Sequence, residues 1–188
     1  NTIGNLTALG ALTGTAVRGI TISSGTYPLN VNNNKLTTLM ANSTNTGVAT
    51  AASVVGIGVS SGGTVQNILN NTVNNLSNIN TASLHRIVGI VTTSGLNKVM
   101  NNTVSGLFSS TTSTSANSSS IGILGMLMQS NLVGSEFSNN TISDLRYENP
   151  SPTTVQMIGL FVNSNGGFKI TKIAMEDGLR FAIREGGR

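Results

Sequence analysis

Two short phrases alternate along this chain and set the positions of its apolar residues. In the first, an Asn is followed two places on by an apolar residue and five places on by a Leu. It occurs as Asn1 with Ile3 and Leu6, Asn34 with Leu36 and Leu39, and Asn71 with Val73 and Leu76. It returns as Asn102 with Val104 and Leu107, and as Asn140 with Ile142 and Leu145. The second phrase sets apolar residues two before and one after a Gly. It reads Val17-x-Gly19-Ile20, Val54-x-Gly56-Ile57, Ile87-x-Gly89-Ile90, Ile123-x-Gly125-Met126 and Met157-x-Gly159-Leu160. Successive reference Asn residues are 33, 37, 31 and 38 apart, and successive Gly residues 37, 33, 36 and 34. All twenty apolar positions so defined are filled in a chain that is only 38% hydrophobic, so this is a repeat and not an accident of composition. Periods of this length signal solenoids, propellers or arrays.

Each repeat predicts three short strands. One ends just before the Asn and carries Val31, Ile68, Val99 or Phe137; one follows the Asn; the third is the Gly phrase, with Val17, Ile20 and Ile22, or Val54, Ile57 and Val59, on its buried side. Runs of four to six residues rich in Val, Ile and Thr and bounded by Asn, Gly and Ser suit a pleated surface. Asn tolerates the left-handed backbone of a sharp bend, and its amide can hydrogen-bond there. One coil of such strands cannot hide its own apolar side. Stacked about 4.8 Å from the next, it pairs its backbone groups and extends a shared core. The expectation is an all-β fold: a parallel β-helix solenoid of about five coils over residues 1–170. Asn1, Asn34, Asn71, Asn102 and Asn140 would form an amide ladder at one bend, and Leu6, Leu39, Leu76, Leu107 and Leu145 one internal file.

The rhythm and the Asn-Thr-apolar phrase resemble the right-handed parallel β-helices of the pectin-lyase-like kind, found among bacterial surface proteins. Leucine-rich repeats have shorter periods, and propeller blades usually have longer ones with aromatic signatures. The variable stretch of each repeat lies between the Leu and the Gly and is longest at residues 41–53 and 109–120, rich in Ser, Thr, Asn and Ala. Insertions in solenoids emerge on one face, often the binding one; the alternative is a pair of solvated loops without a partner.

The pattern stops near residue 170, leaving a non-repeat tail at 171–188. Ile173-Ala174-Met175-Glu176-Asp177-Gly178-Leu179-Arg180-Phe181-Ala182-Ile183-Arg184-Glu185-Gly186-Gly187-Arg188 resembles a segment in the C-terminal barrel of elongation factor Tu. Nothing upstream shares the resemblance and no phosphate-binding loop is present, so no GTPase or tRNA-binding role is carried over. The tail is expected to be a fusion, a cap on the last coil or a misassigned segment. The chain begins inside a repeat phrase, which suggests an internal fragment or a processed product.

Charge changes the picture little. Charged residues are 9% of the chain and the net charge is +4, split evenly between residues 1–168 and the last twenty. A nucleic-acid binder needs a clustered basic face with stacking aromatics, and the repeats have neither. No apolar run approaches the length of a membrane span. There is no Cys, which removes disulfides and thiolate–metal sites, and a single His cannot build a nitrogen-ligated metal centre.

Candidate chemistry is sparse. The repeat region has three acids, Glu136, Asp144 and Glu148; Asp144 and Glu148 could approach each other, as a glycosidase or lyase pair would need. His85 is expected on the surface, since a triad would require an orienting acid and a Ser beside it. Gly56-Ile57-Gly58 matches no phosphate-binding spacing and reads as a turn after a strand. No catalytic residue, cofactor or metal is therefore expected. The functional expectation is a structural or adhesive segment of an extracellular or cell-surface fibre or adhesin, its partners carbohydrate, bound through one loop face, or further repeats of the same protein. The alternatives are an inactive fragment of a β-helical polysaccharide lyase or hydrolase and, less favoured because Lys35 interrupts the Thr column, an ice-binding array.

Overall fold

A computed structural model describes residues 1–188 except 11, 15, 24, 26, 63–64, 82–84, 112–120, 131, 149–155, 164–166, 177–179 and 185–188; residues 121, 156 and 180–184 are described by their backbone alone. The strands are β1 (Thr2–Ala8), β2 (Val17–Ile22), β3 (Leu29–Asn32), β4 (Lys35–Ala41), β5 (Val54–Val59), β6 (Val65–Leu69), β7 (Thr72–Asn78), β8 (Ile87–Thr92) and β9 (Leu96–Met100). They continue with β10 (Thr103–Ser109), β11 (Ile121–Met128), β12 (Ser135–Ser138), β13 (Thr141–Tyr147), β14 (Gln156–Asn163), β15 (Phe168–Thr171), β16 (Ala174–Met175) and β17 (Arg180–Arg184).

Every third strand pairs in parallel. Sheet A runs β1-β4-β7-β10-β13-β16, sheet B runs β2-β5-β8-β11-β14-β17, and sheet C runs β3-β6-β9-β12-β15. The chain passes through A, B and C five times and enters A and B a sixth time. This is an all-β parallel solenoid. The phrase Leu is in register throughout: Leu6 faces Leu39, Leu39 faces Leu76, Leu76 faces Leu107 and Leu107 faces Leu145.

The spacing of the Asn phrase has a conformational cause. Residues three apart on a regular strand point to opposite faces, yet the second and fifth positions after each Asn both enter the core. A residue of positive φ between them resets the alternation: Asn5 (57°), Thr38 (57°), Asn75 (56°), Gly106 (65°) and Asp144 (54°). A second column of positive φ turns the chain from sheet C into sheet A, at Asn33, Asn70, Asn101, Asn139 and Lys172. It lies one residue before each reference Asn. Bend and ladder are thus divided between neighbours: the first Asn takes the left-handed backbone and the second supplies the amide.

The Gly phrase is set by close approach. A Cβ built on Gly56 would lie 2.5 Å from both the Gly89 carbonyl oxygen and the Val73 side chain, and one on Gly125 would lie 2.5 Å from the Gly159 oxygen and Ile142. Gly56 and Gly58 lie inside β5, not in a turn after it. The interior holds Leu36, Leu39, Ile57, Ile68, Val73, Leu76, Ile90, Val104 and Leu107, all fully buried.

A second apolar cluster lies on the outer side of sheet B, where Val55, Val88, Val91, Leu124, Leu127 and Ile158 are buried together with Ala49 and Ala52. Residues 41–53 thus differ from the solvated-loop expectation. Their 3-10 turn, Ala49–Ala51, lies against this cluster, and Ala41, Ser43, Ala52 and Ser53 have no solvent exposure. Within the other long connection, 112–120 lies outside the described residues.

The tail continues the strand stacking after its phrase is lost. β16 joins β13 with Thr141 opposite Ala174, and β17 joins β14 with Phe161 opposite Ala182. Ile173 takes the place where a sixth Asn would stand.

Candidate functional site

The amide ladder is the most regular polar feature. The Nδ2 groups of Asn1, Asn34, Asn71 and Asn102 each donate to the Oδ1 of the next Asn, Asn34 to Asn140, at 3.0 Å. The main-chain N–H of Asn34, Asn71 and Asn102 donates to the same oxygen, at 3.0, 2.9 and 2.9 Å. The remaining amide hydrogen goes to a carbonyl, as from Asn71 to Val31 and from Asn102 to Ile68. Asn71, Asn102 and Asn140 are at most 1% exposed, so the ladder beyond its first member is a buried seam. Of the Leu file, Leu39, Leu76 and Leu107 are fully buried and Leu145 nearly so, while Leu6 is 39% exposed on the first coil.

The outer face of sheet A is accessible and almost uncharged over β7 and β10. Thr72 stands beside Thr103, Asn74 beside Ser105 and Ser77 beside Phe108. Asn74 Nδ2 donates to Ser105 Oγ at 2.9 Å. The flanking coils carry charge here: Lys35 is opposite Thr72, and Arg146 is opposite Phe108.

Asp144 is paired with a base, and its main-chain N–H donates to the Glu176 carboxylate at 2.5 Å. Asp144 Oδ1 lies 2.6 Å from Arg146 Nε, so that guanidinium neutralises it. Glu136 sits on the outer face of sheet C between Lys98 and Lys169, 3.5 Å from each. A hydrogen bond involving Ser138 holds its carboxyl below the usual range, and the two lysines add to the effect.

His85 corrects the expectation of a surface residue. It is fully buried, with Nε2 2.7 Å from Ser109 Oγ. The chain closes over this corner because Arg86 reaches back to the Thr46 carbonyl, and Ser53 Oγ donates to the Arg86 carbonyl at 2.6 Å. Asn78 ties the same loop down, its Nδ2 donating to the Ser43 carbonyl and to Ser53 Oγ and its Oδ1 accepting from the Ser43 N–H. Burial lowers the Arg86 pKa from its ordinary value and pushes the Tyr147 phenol well above its own. The Ser109–His85 contact therefore lies in the interior. The one sequence signal for this corner was the polar Asn78 and Ser109 at positions where other coils place Ala8 and Ala41.

Among the described residues, no group of three or more His, Cys, Asp or Glu side chains could hold a metal ion, and no helix is long and apolar enough to cross a membrane. No protein-family model, curated protein or solved structure matches the chain.

Proposed function

We propose that the chain is a non-catalytic structural segment of an extracellular or cell-surface fibre or adhesin, with the outer face of sheet A contacting neutral carbohydrate. One observation carries the reading. Thr72, Asn74, Thr103 and Ser105, with Ser77 beside Phe108, present hydroxyl, amide and aromatic groups on two paired strands that carry no charge. Such groups match sugar hydroxyls, and an aromatic ring can stack on a pyranose face. The sheet is preferred over the loop face because residues 41–53 are engaged in packing.

The seam of Asn amides and the uncharged surface suit an elongated scaffold, and a right-handed, pectin-lyase-like winding fits the same reading. So does stacking onto further repeats. The neutralised Asp144 and buried His85 support the non-catalytic part of the proposal. The elongation-factor-like stretch is read as a cap, because a charged last strand protects an open sheet edge from aggregation.

Glycan-array binding by the chain tests this. Binding by the parent that falls at least tenfold in Asn74→Lys and in Phe108→Ala, with Glu136→Gln unaffected, supports the sheet A face. Absence of binding, or equal binding by all variants, overturns it.

A further inference from the structure

Three polar side chains close to the turns between sheets B and C are fully buried. Gln66 and Asn97 are register partners on β6 and β9, and both point into the core from positions that Leu29 and Phe168 hold in other coils. Thr92 ends β8 on the inward column of Val59 and Met128. All three side chains have no solvent exposure. Each also has one oxygen without a protein partner: Gln66 Oε1, Asn97 Oδ1 and Thr92 Oγ1.

The amide orientations are not interchangeable. Gln66 Nε2 donates to the Ser61 carbonyl, and Asn97 Nδ2 donates to the carbonyls of Ser94 and Gly95 at 3.1 and 2.9 Å. Turning either amide over would set its oxygen against carbonyl oxygens. Gly95, at φ 80°, brings the chain close enough that a Cβ there would lie 2.7 Å from the Ser61 oxygen. Ser94 and Ser130 hydroxyls donate to Ser61 and Gly95, closing the corner on its outer side.

We infer that this corner holds one ordered internal water molecule. The stoichiometry fits: water donates one hydrogen to Gln66 Oε1 and one to Asn97 Oδ1, and it accepts the Thr92 hydroxyl. Three bonds to otherwise unpaired buried groups is the usual complement of an internal water. A cation fits less well. The three oxygens are neutral, and a buried charge without a counter-charge is costly.

A high-resolution crystal structure grown in rubidium chloride, together with thermal unfolding of Thr92→Val, tests the inference. Val59 shows that a Val side chain suits this column, so the variant removes the hydroxyl and not the packing. The expected result is a single peak within hydrogen-bond distance of all three oxygens, without rubidium anomalous signal, and a Thr92→Val midpoint lower by about 2–4 °C. A dry corner, a rubidium peak, or a midpoint raised by the substitution would overturn it.

Discussion

Asn71 and Asn102 are joined twice: the side-chain amide and the main-chain N–H of Asn71 both donate to Asn102 Oδ1, at 3.0 and 2.9 Å. One oxygen therefore fixes both the side chain and the backbone of the coil before it. Replacing Asn102 by Ala leaves two buried N–H groups of Asn71 without their acceptor. Each unsatisfied group costs about 1–3 kcal/mol. Asn102→Ala is expected to lose at least about 2 kcal/mol in denaturant unfolding. Asn1→Ala, at the exposed end of the ladder, should lose under about 1 kcal/mol. Equal losses would show that the ladder does not depend on burial.

Gly89 and Gly62 form a contrasting pair. A Cβ on Gly89 would lie 2.5 Å from the Gly125 carbonyl oxygen, whereas one on Gly62 meets nothing within 4 Å. Gly89→Ala should lower stability by about 1–3 kcal/mol through overpacking, and Gly62→Ala should be close to silent. Trimming Val104 as well should not restore Gly89→Ala, because the carbonyl does not move with a side chain. Full rescue by Val104→Ala would place the conflict in the side chains.

Thr38 is the one β-branched residue in its positive-φ column, at 57°, where Asn5 and Asn75 stand in adjacent coils. That conformation costs an ordinary L-residue roughly 1–2 kcal/mol. Thr38→Asn is accordingly expected to raise the thermal midpoint by about 2–4 °C. A lowered midpoint would mean that the Thr methyl contributes packing greater than the strain.

Tyr147 links stability to alkaline pH. Its phenol is raised above the ordinary 10.0 because burial disfavours the phenolate. The folded state thus holds this proton more tightly than the unfolded state does, and the linked stability is present below pH 10 and lost as pH rises above it. Midpoints measured between pH 8 and 11 should fall less steeply in Tyr147→Phe than in the parent. Parallel curves would remove Tyr147 as the source.

Much of this architecture was readable from residue order, because a repeat states the same constraint several times. The Asn, Leu and Gly columns each recur five times, and one stacking arrangement brings every set into register. The apolar outer side of sheet B was also legible, though overlooked: Val54-Val55-Gly56-Ile57-Gly58-Val59 and Ile87-Val88-Gly89-Ile90-Val91 are continuous apolar runs, the mark of strands buried on both faces. The burial of His85 was not legible, since it depends on a return contact from Arg86 to Thr46, forty residues earlier.

Sequence alone determined the periodicity, the three strands per coil and which residues share a column, since these follow from local spacing and backbone preference. Tertiary structure decided what each column meets. It buried Asn102 in the seam, folded residues 41–53 onto sheet B, and left Gln66, Asn97 and Thr92 buried with an unpartnered oxygen each. Those outcomes depend on separate coils approaching within van der Waals distance, and no window along a single coil contains them.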